Sequence, residues 1–164
     1  MIELVAENDR ILKTIGVEWD FNNPPADAVE FSEGMLASMR EERGIGLAAS
    51  QIGLNYRVFV METDGVVRIC FNPQVTKYSE ILAVYEEGCL SFPDLILKIK
   101  RPESISVKYQ DATGQIHEEE LTALAARCYL HETDHADGVC FTDRVSKLHL
   151  EMAKKRRAKT GRKL

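Results

Sequence analysis

Thr122-Ala123-Leu124-Ala125-Ala126-Arg127-Cys128-Tyr129-Leu130-His131-Glu132-Thr133-Asp134-His135-Ala136-Asp137 reads as one helix, stopped by Gly138. Leu124, Cys128, Leu130 and His131 are expected to crowd its buried side. Inside it runs H-E-x-x-H, from His131 to His135. Residues four apart on a helix project from one face, so both imidazoles can reach a single ion. Glu132 then stands beside that ion, free to act as a base rather than a ligand. The apolar neighbours argue against the plainer alternative, a solvated and charge-rich helix face.

Outward from this helix the chain reads mostly as strands. Ile105, Val107 and Tyr109 alternate with other residues, as do Leu95, Leu97 and Ile99. Asp111-Ala112-Thr113-Gly114 then turns the chain into a further strand near Ile116. Residues 56–61 and 66–71 flank Thr63-Asp64-Gly65 as a hairpin. Residues 24–43 read as an N-terminal helix: Pro24-Pro25 and Asp27 open it, Phe31, Met35, Leu36 and Met39 recur at helical spacing, and Gly44 ends it. Gly44-Ile45-Gly46-Leu47-Ala48-Ala49-Ser50-Gln51 is too rich in small residues for a helix and reads as a tight loop where backbone closely approaches something. Helix, then strands, then helix predicts an α+β fold rather than a doubly wound one.

A chain of 164 residues suits one domain with a substantial core. Its 45% hydrophobic and 29% charged residues are those of an ordinary globular protein. No stretch approaches the ~18 unbroken apolar residues of a membrane span, and no secretory signal is expected at the start. The expected location is the cytoplasm, where cysteines 70, 89, 128 and 140 stay reduced. They form no C-x-x-C pair, so neither a zinc ribbon nor a thioredoxin-type site is indicated. The net charge of −5 hides an asymmetry: residues 147–164 carry eight Lys or Arg and one Glu, a local +7, which leaves −12 for the rest. Residues 1–148 are expected to form one domain and 149–164 a short basic tail. Such a tail marks contact with a polyanion, or else a solvated helix end.

Two histidines do not complete a catalytic site, which takes three protein ligands and one water. The extended zincin pattern H-E-x-x-H-x-x-G-x-x-H keeps Gly138 but meets Phe141 at its last position. Glu151 is the downstream carboxylate a thermolysin-like site would use, and His149 is another donor. Upstream, Glu86-Glu87-Gly88-Cys89-Leu90-Ser91 offers Cys89 at the end of a strand-like run. From these residues alone, a zincin-type metallopeptidase, a non-enzymatic metal-binding module and a thiolate-ligated hydrolase all stand.

Three separated blocks carry the comparison further. Gly44-Ile45-Gly46-Leu47-Ala48-Ala49-Ser50-Gln51, Glu87-Gly88-Cys89-Leu90-Ser91, and His131-Glu132-Thr133-Asp134-His135 with Gly138 behind it occur in this order. They resemble the blocks of the peptide deformylases, written G-x-G-[LV]-A-A-x-Q, E-G-C-L-S and H-E-x-D-H-x-x-G. The resemblance runs from about residue 5 to residue 148. Leu130 and Ala136 depart from the usual Gln and Leu, Ser50 replaces a frequent Pro, and Ile96 stands where some bacterial members place an arginine.

The resemblance implies mainly antiparallel β-sheets packed around the central H-E-x-x-H helix. It also implies that Cys89, His131 and His135 bind one divalent metal, expected to be iron(II), for which zinc, nickel or cobalt can substitute. Glu132 becomes the proton carrier, with the Gln51 amide and the Leu90 backbone N–H as oxyanion donors. The implied substrate is the N-formyl-methionyl end of a nascent chain, which yields formate and a free α-amine. Ile45, Tyr85, Leu124 and Cys128 are expected to line the methionine slot, and the backbone of Ile45 and Gly46 to pair with the extended peptide. Glu87 is expected to pair with Arg101 and brace the Cys89 loop. His117, Cys70 and Cys140 are read as structural or solvent-facing. The resemblance extends to ribosome contact through the basic tail, with no direct DNA binding and no membrane contact expected.

Overall fold

Val58, Phe59, Val60 and Met61 are consecutive, apolar and all buried, because the strand carrying them has a helix on each face. The computed structural model describes residues 2–161. Its strands are β1 (Gly46–Ala48), β2 (Val58–Thr63), β3 (Val66–Tyr78), β4 (Leu82–Cys89), β5 (Phe92–Pro102), β6 (Ser104–Gln110) and β7 (Ile116–Thr122). An antiparallel sheet takes the order β1-β2-β3-β6-β7, and β4 with β5 forms a separate two-stranded ribbon. Helix α1 (Ala28–Glu41) covers one face of the larger sheet, and α2 (Ala123–Ala136) covers the other.

Side-chain alternation assigns each residue of β2 to a layer. Val58 and Val60 pack with Trp19, Met35 and Met39 on the α1 side. Phe59 and Met61 pack with Ala126 and Tyr129 on the α2 side, where the Phe59 and Tyr129 rings meet edge to face at 5.1 Å. A third cluster joins β5 to the last helix, α3 (Lys147–Gly161), through Leu95, Leu97, Phe141 and Ala153.

The sequence reading of an α+β architecture holds, and its boundaries need adjustment. The first helix is shorter than 24–43, because the Asp27 carboxylate caps it by accepting the Glu30 N–H at 2.9 Å. The segment expected as a loop over 44–51 contains β1 and a 3₁₀ turn over Ala49–Ile52. In the first hairpin Thr63 pairs with Val66, so the turn is Asp64-Gly65 alone, with φ of 54° and 74°. Leu124 is 46% exposed rather than buried, since α2 turns that flank towards an open cleft. Gly138 does end α2, with a φ of 72°, and a Cβ there would lie 2.8 Å from the Lys13 carbonyl oxygen.

The basic segment is helical over its described length. Helix α3 crosses residue 148 without a break, Ala153 is buried against β5, and Arg157 pairs with Glu7 at 2.9 Å. Residues 162–164, the last of that segment, lie outside the described residues. No described helix is long and apolar enough to cross a membrane.

Replacing Phe59 by Ala removes an aromatic ring from the layer on which α2 rests. The expected loss is about 3–5 kcal/mol, read as a lowered midpoint in denaturant unfolding.

Candidate active site

The β4–β5 ribbon and α2 meet at a cluster of potential ligands. Cys89 ends β4, while His131 and His135 project from the same side of α2 one turn apart. One ligand atom from each lies within 4.8 Å of the others, and the Cys89 Sγ to His135 Nε2 distance is 3.3 Å. Ligand atoms around a tetrahedral ion with bonds of ~2.0–2.3 Å stand about 3.5 Å apart. The cluster is therefore the right size for one ion.

The surroundings act oppositely on the two histidines. Burial disfavours a charged His131, but hydrogen bonds to Cys89 and Glu87 outweigh burial and push its pKa up to about 10. Burial and the nearby His131 hold His135 well below the usual histidine range.

Glu132 lies beside the cluster, buried, and its Oε2 has no hydrogen-bond partner. Burial raises its pKa to about 7, more than the opposing attraction of His131 lowers it. β1 passes directly over this carboxylate: a Cβ on Gly46 would sit 2.3 Å from Glu132 Oε1 and 3.0 Å from Cys128 Sγ. The Gln51 amide is oriented by the Ala48 N–H, which donates to Oε1 at 2.9 Å. This aims Nε2 at Ser91 Oγ, 3.1 Å away, and at Cys89 Sγ, 3.5 Å away.

Beneath the histidines is a buried ionic group. Glu87 accepts from His131 Nδ1 at 2.9 Å, from Arg101 at 2.7 and 3.0 Å, and from Arg127 at 2.6 Å. Arg101 continues to Asp134 at 2.9 Å, which also takes Arg144 at 2.6 Å. Burial alone would raise the Glu87 pKa, but hydrogen bonds from His131 and Arg101 bring it down to about 2. Glu87 is thus a carboxylate that fixes the His131 ring and its tautomer.

A cleft of about 500 Å³ opens above the cluster, lined by Ile45, Gly46, Leu90, Leu124, Cys128 and Glu132 among others. Among the described residues, the group able to hold an ion is Cys89, His131 and His135, and neither His149 nor Glu151 joins it.

The polypeptide deformylase family profile matches residues 1–151. The chain belongs to the peptide deformylase family. It is 39% identical over 136 residues to the peptide deformylase of Afipia carboxidovorans, covering 80% of each protein. Its fold is similar to the crystal structure of the Thermotoga maritima peptide deformylase, with a TM-score of 0.85 and 36% identity over 89% of this chain and 98% of that one. The Synechococcus elongatus enzyme in complex with actinonin gives 0.88 and 32% identity over 96% and 86%.

The deformylase family is metal-dependent, and its members remove the N-formyl group from newly made polypeptides; this chain is an enzyme of that hydrolase kind. The zincin-type alternative is not favoured. Nearly all the residues expected at a deformylase site gather here, and Tyr85 is the exception. It is 63% exposed, absent from the cleft lining, and packs against Arg127, whose guanidinium carbon is 5.3 Å from its ring centre.

Leu130 and Ala136, which depart from the deformylase pattern, are both buried, and Leu130 joins the apolar layer with Phe59. The sequence reading missed Arg127 and Asp134, although position 127 shares the helix face of 131 and 135. A charge on that face, four residues before a ligand-type histidine, was the available signal.

Gly46→Ala forces Glu132 or β1 to shift. Displacing a catalytic group by ~1 Å costs roughly 100-fold. Formate release should fall by about that factor while the thermal melting midpoint stays within a few degrees.

Proposed function

We propose that Cys89, His131 and His135 hold one divalent cation, iron(II) in the cell, and that Glu132 carries the proton in deformylation. The observation that supports this most directly is the buried Glu132 carboxylate, with an unpartnered Oε2, beside a three-donor cluster of the right size. A thiolate with two imidazoles suits iron(II), zinc, nickel or cobalt and does not suit magnesium or calcium. When bound, such a cation lowers the pKa of a water towards neutrality and polarises a carbonyl.

The chain's own residues do the rest. Glu132 takes the proton from the attacking water and passes it to the amine that leaves. The formyl oxygen gains negative charge, and the Gln51 amide and the Leu90 N–H donate to it. Gln51 gives up its long contact with Cys89 Sγ to do so, while the Ala48 N–H keeps its amide oriented. Ile45 and Gly46 offer backbone groups to an extended peptide, as an added strand would use them. Leu124 and Cys128 supply the apolar slot for an unbranched methionine side chain.

The catalytic unit is residues 1–148, and the basic segment from 149 onward serves as a contact for the ribosome. Lys154, Lys155 and Lys159 are exposed on α3, on the outside of a helix whose Ala153 faces β5.

Formate release from formyl-Met-Ala-Ser is expected, with no cleavage of the unformylated peptide. Glu132→Gln should keep the metal and lose about 10²–10⁴-fold in turnover, whereas Cys89→Ser should lose metal and turnover together. Chelation should abolish activity, and iron(II) or nickel should restore it. A metal-loaded protein that releases no formate would overturn the assignment.

Charge reversal of Lys154, Lys155 and Lys159 keeps the packing of α3. Co-sedimentation with ribosomes should weaken while formate release from a free peptide is unchanged. Unaltered co-sedimentation would remove the ribosome contact from this reading.

A further inference from the structure

Arg127 stands at a junction that the reaction as described does not use. It lies on α2 one turn before His131, buried at 8% exposure in the lining of the cleft. Nη1 donates to Glu87 Oε2 at 2.6 Å and to the Ile99 carbonyl at 2.9 Å, and Nη2 donates to the Ala83 carbonyl at 2.9 Å. A single side chain therefore joins α2 to both strands of the β4–β5 ribbon. That ribbon forms no ladder with the larger sheet, yet it carries Cys89 while α2 carries the two histidines.

A carboxylate offers about four acceptor positions, and at Glu87 all are taken. Oε1 receives His131 Nδ1 and Arg101 Nη2, and Oε2 receives Arg101 Nε and Arg127 Nη1. The two arginines are not equivalent. Arg101 is shared with Asp134, while the other acceptors of Arg127 are neutral carbonyls. Among the described residues, Glu87 is thus the carboxylate that Arg127 pairs with, whereas Arg101 divides its donors between Glu87 and Asp134.

We infer that Arg127 is a positioning residue for deformylation, which fixes Cys89 relative to the two histidines and holds Glu87 square to His131. The inference rests on the metal set proposed above. Without the guanidinium, Glu87 loses its shortest hydrogen bond and Oε2 opens to cleft water. The carboxylate then turns towards Arg101, and the His131 ring loses its fixed orientation. Partners of this kind typically change metal retention by 10–100-fold.

The test compares Arg127→Met, which keeps an unbranched apolar stem, with Arg127→Lys, which restores a charge but cannot reach three acceptors. Each protein is loaded with cobalt(II). Absorption spectra, metal release to a chelator, and kcat and KM for formyl-Met-Ala-Ser are then measured. Arg127→Met is expected to shift the cobalt d–d bands, release metal roughly 10–100-fold faster, and lower kcat more than it changes KM. Arg127→Lys should recover part of the retention, and it carries the test if Arg127→Met does not fold.

A variant that melts earlier but keeps the wild-type cobalt spectrum and release rate would overturn the proposal, because it would make Arg127 merely structural. Failure of the underlying metal set looks different. In that case Cys89→Ser would leave the thiolate-to-cobalt absorption of the otherwise wild-type protein intact.

Discussion

The structure depends on one buried carboxylate. Glu87 sits in the interior with arginines 101 and 127 against it and the ring of His131 on its remaining oxygen lobe. Burying such charges is costly unless they are paired and hydrogen-bonded. Here the pairing is complete, so the arrangement has little freedom to relax. The same carboxylate belongs to the strand that ends at Cys89, so satisfying it also draws the ribbon onto α2. Electrostatic satisfaction and assembly of the ligand cluster are a single event in this fold.

The larger sheet provides the platform for that event. β2 is buried on both faces, which leaves α2 with one register against Phe59, Met61 and Tyr109. From that register His131, His135 and Glu132 are presented towards the ribbon, and Gly46 of β1 lies directly on Glu132. A side chain at position 46 would have to displace the Glu132 carboxylate or β1 itself. Gly46 thus answers a steric demand made by a residue about ninety positions later in the chain.

Much of this was legible in the sequence, for physical reasons that vary by element. Helix α2 combined apolar periodicity with a motif, and Asp64-Gly65 marked its hairpin through residues that tolerate positive φ. The three blocks drew attention to Cys89, Gln51 and Glu132, and the structure gathers all three along one cleft. β4 was hard to read, since its open edge leaves Leu82, Val84 and Tyr85 exposed and removes the alternation that marks a half-buried strand. β3 ran past its expected end because register shifts near Gln74 and Lys77 let it continue along β6. Arg127 was overlooked because an isolated charge on a helix ordinarily faces water, and nothing local records that its partner Glu87 is forty residues away on β4.

The path of the basic segment has a further consequence. α3 is not a tether: fifteen residues of helix, roughly 22 Å long, lie against β5 and are tied back to Glu7. A flexible tail would let the body swing freely around whatever polyanion it gripped. A docked rod transmits orientation, so under the ribosome contact proposed above the surface engaging those lysines would also set the bearing of the cleft. An incoming chain end would meet the enzyme at a fixed angle rather than wait on a rotational search.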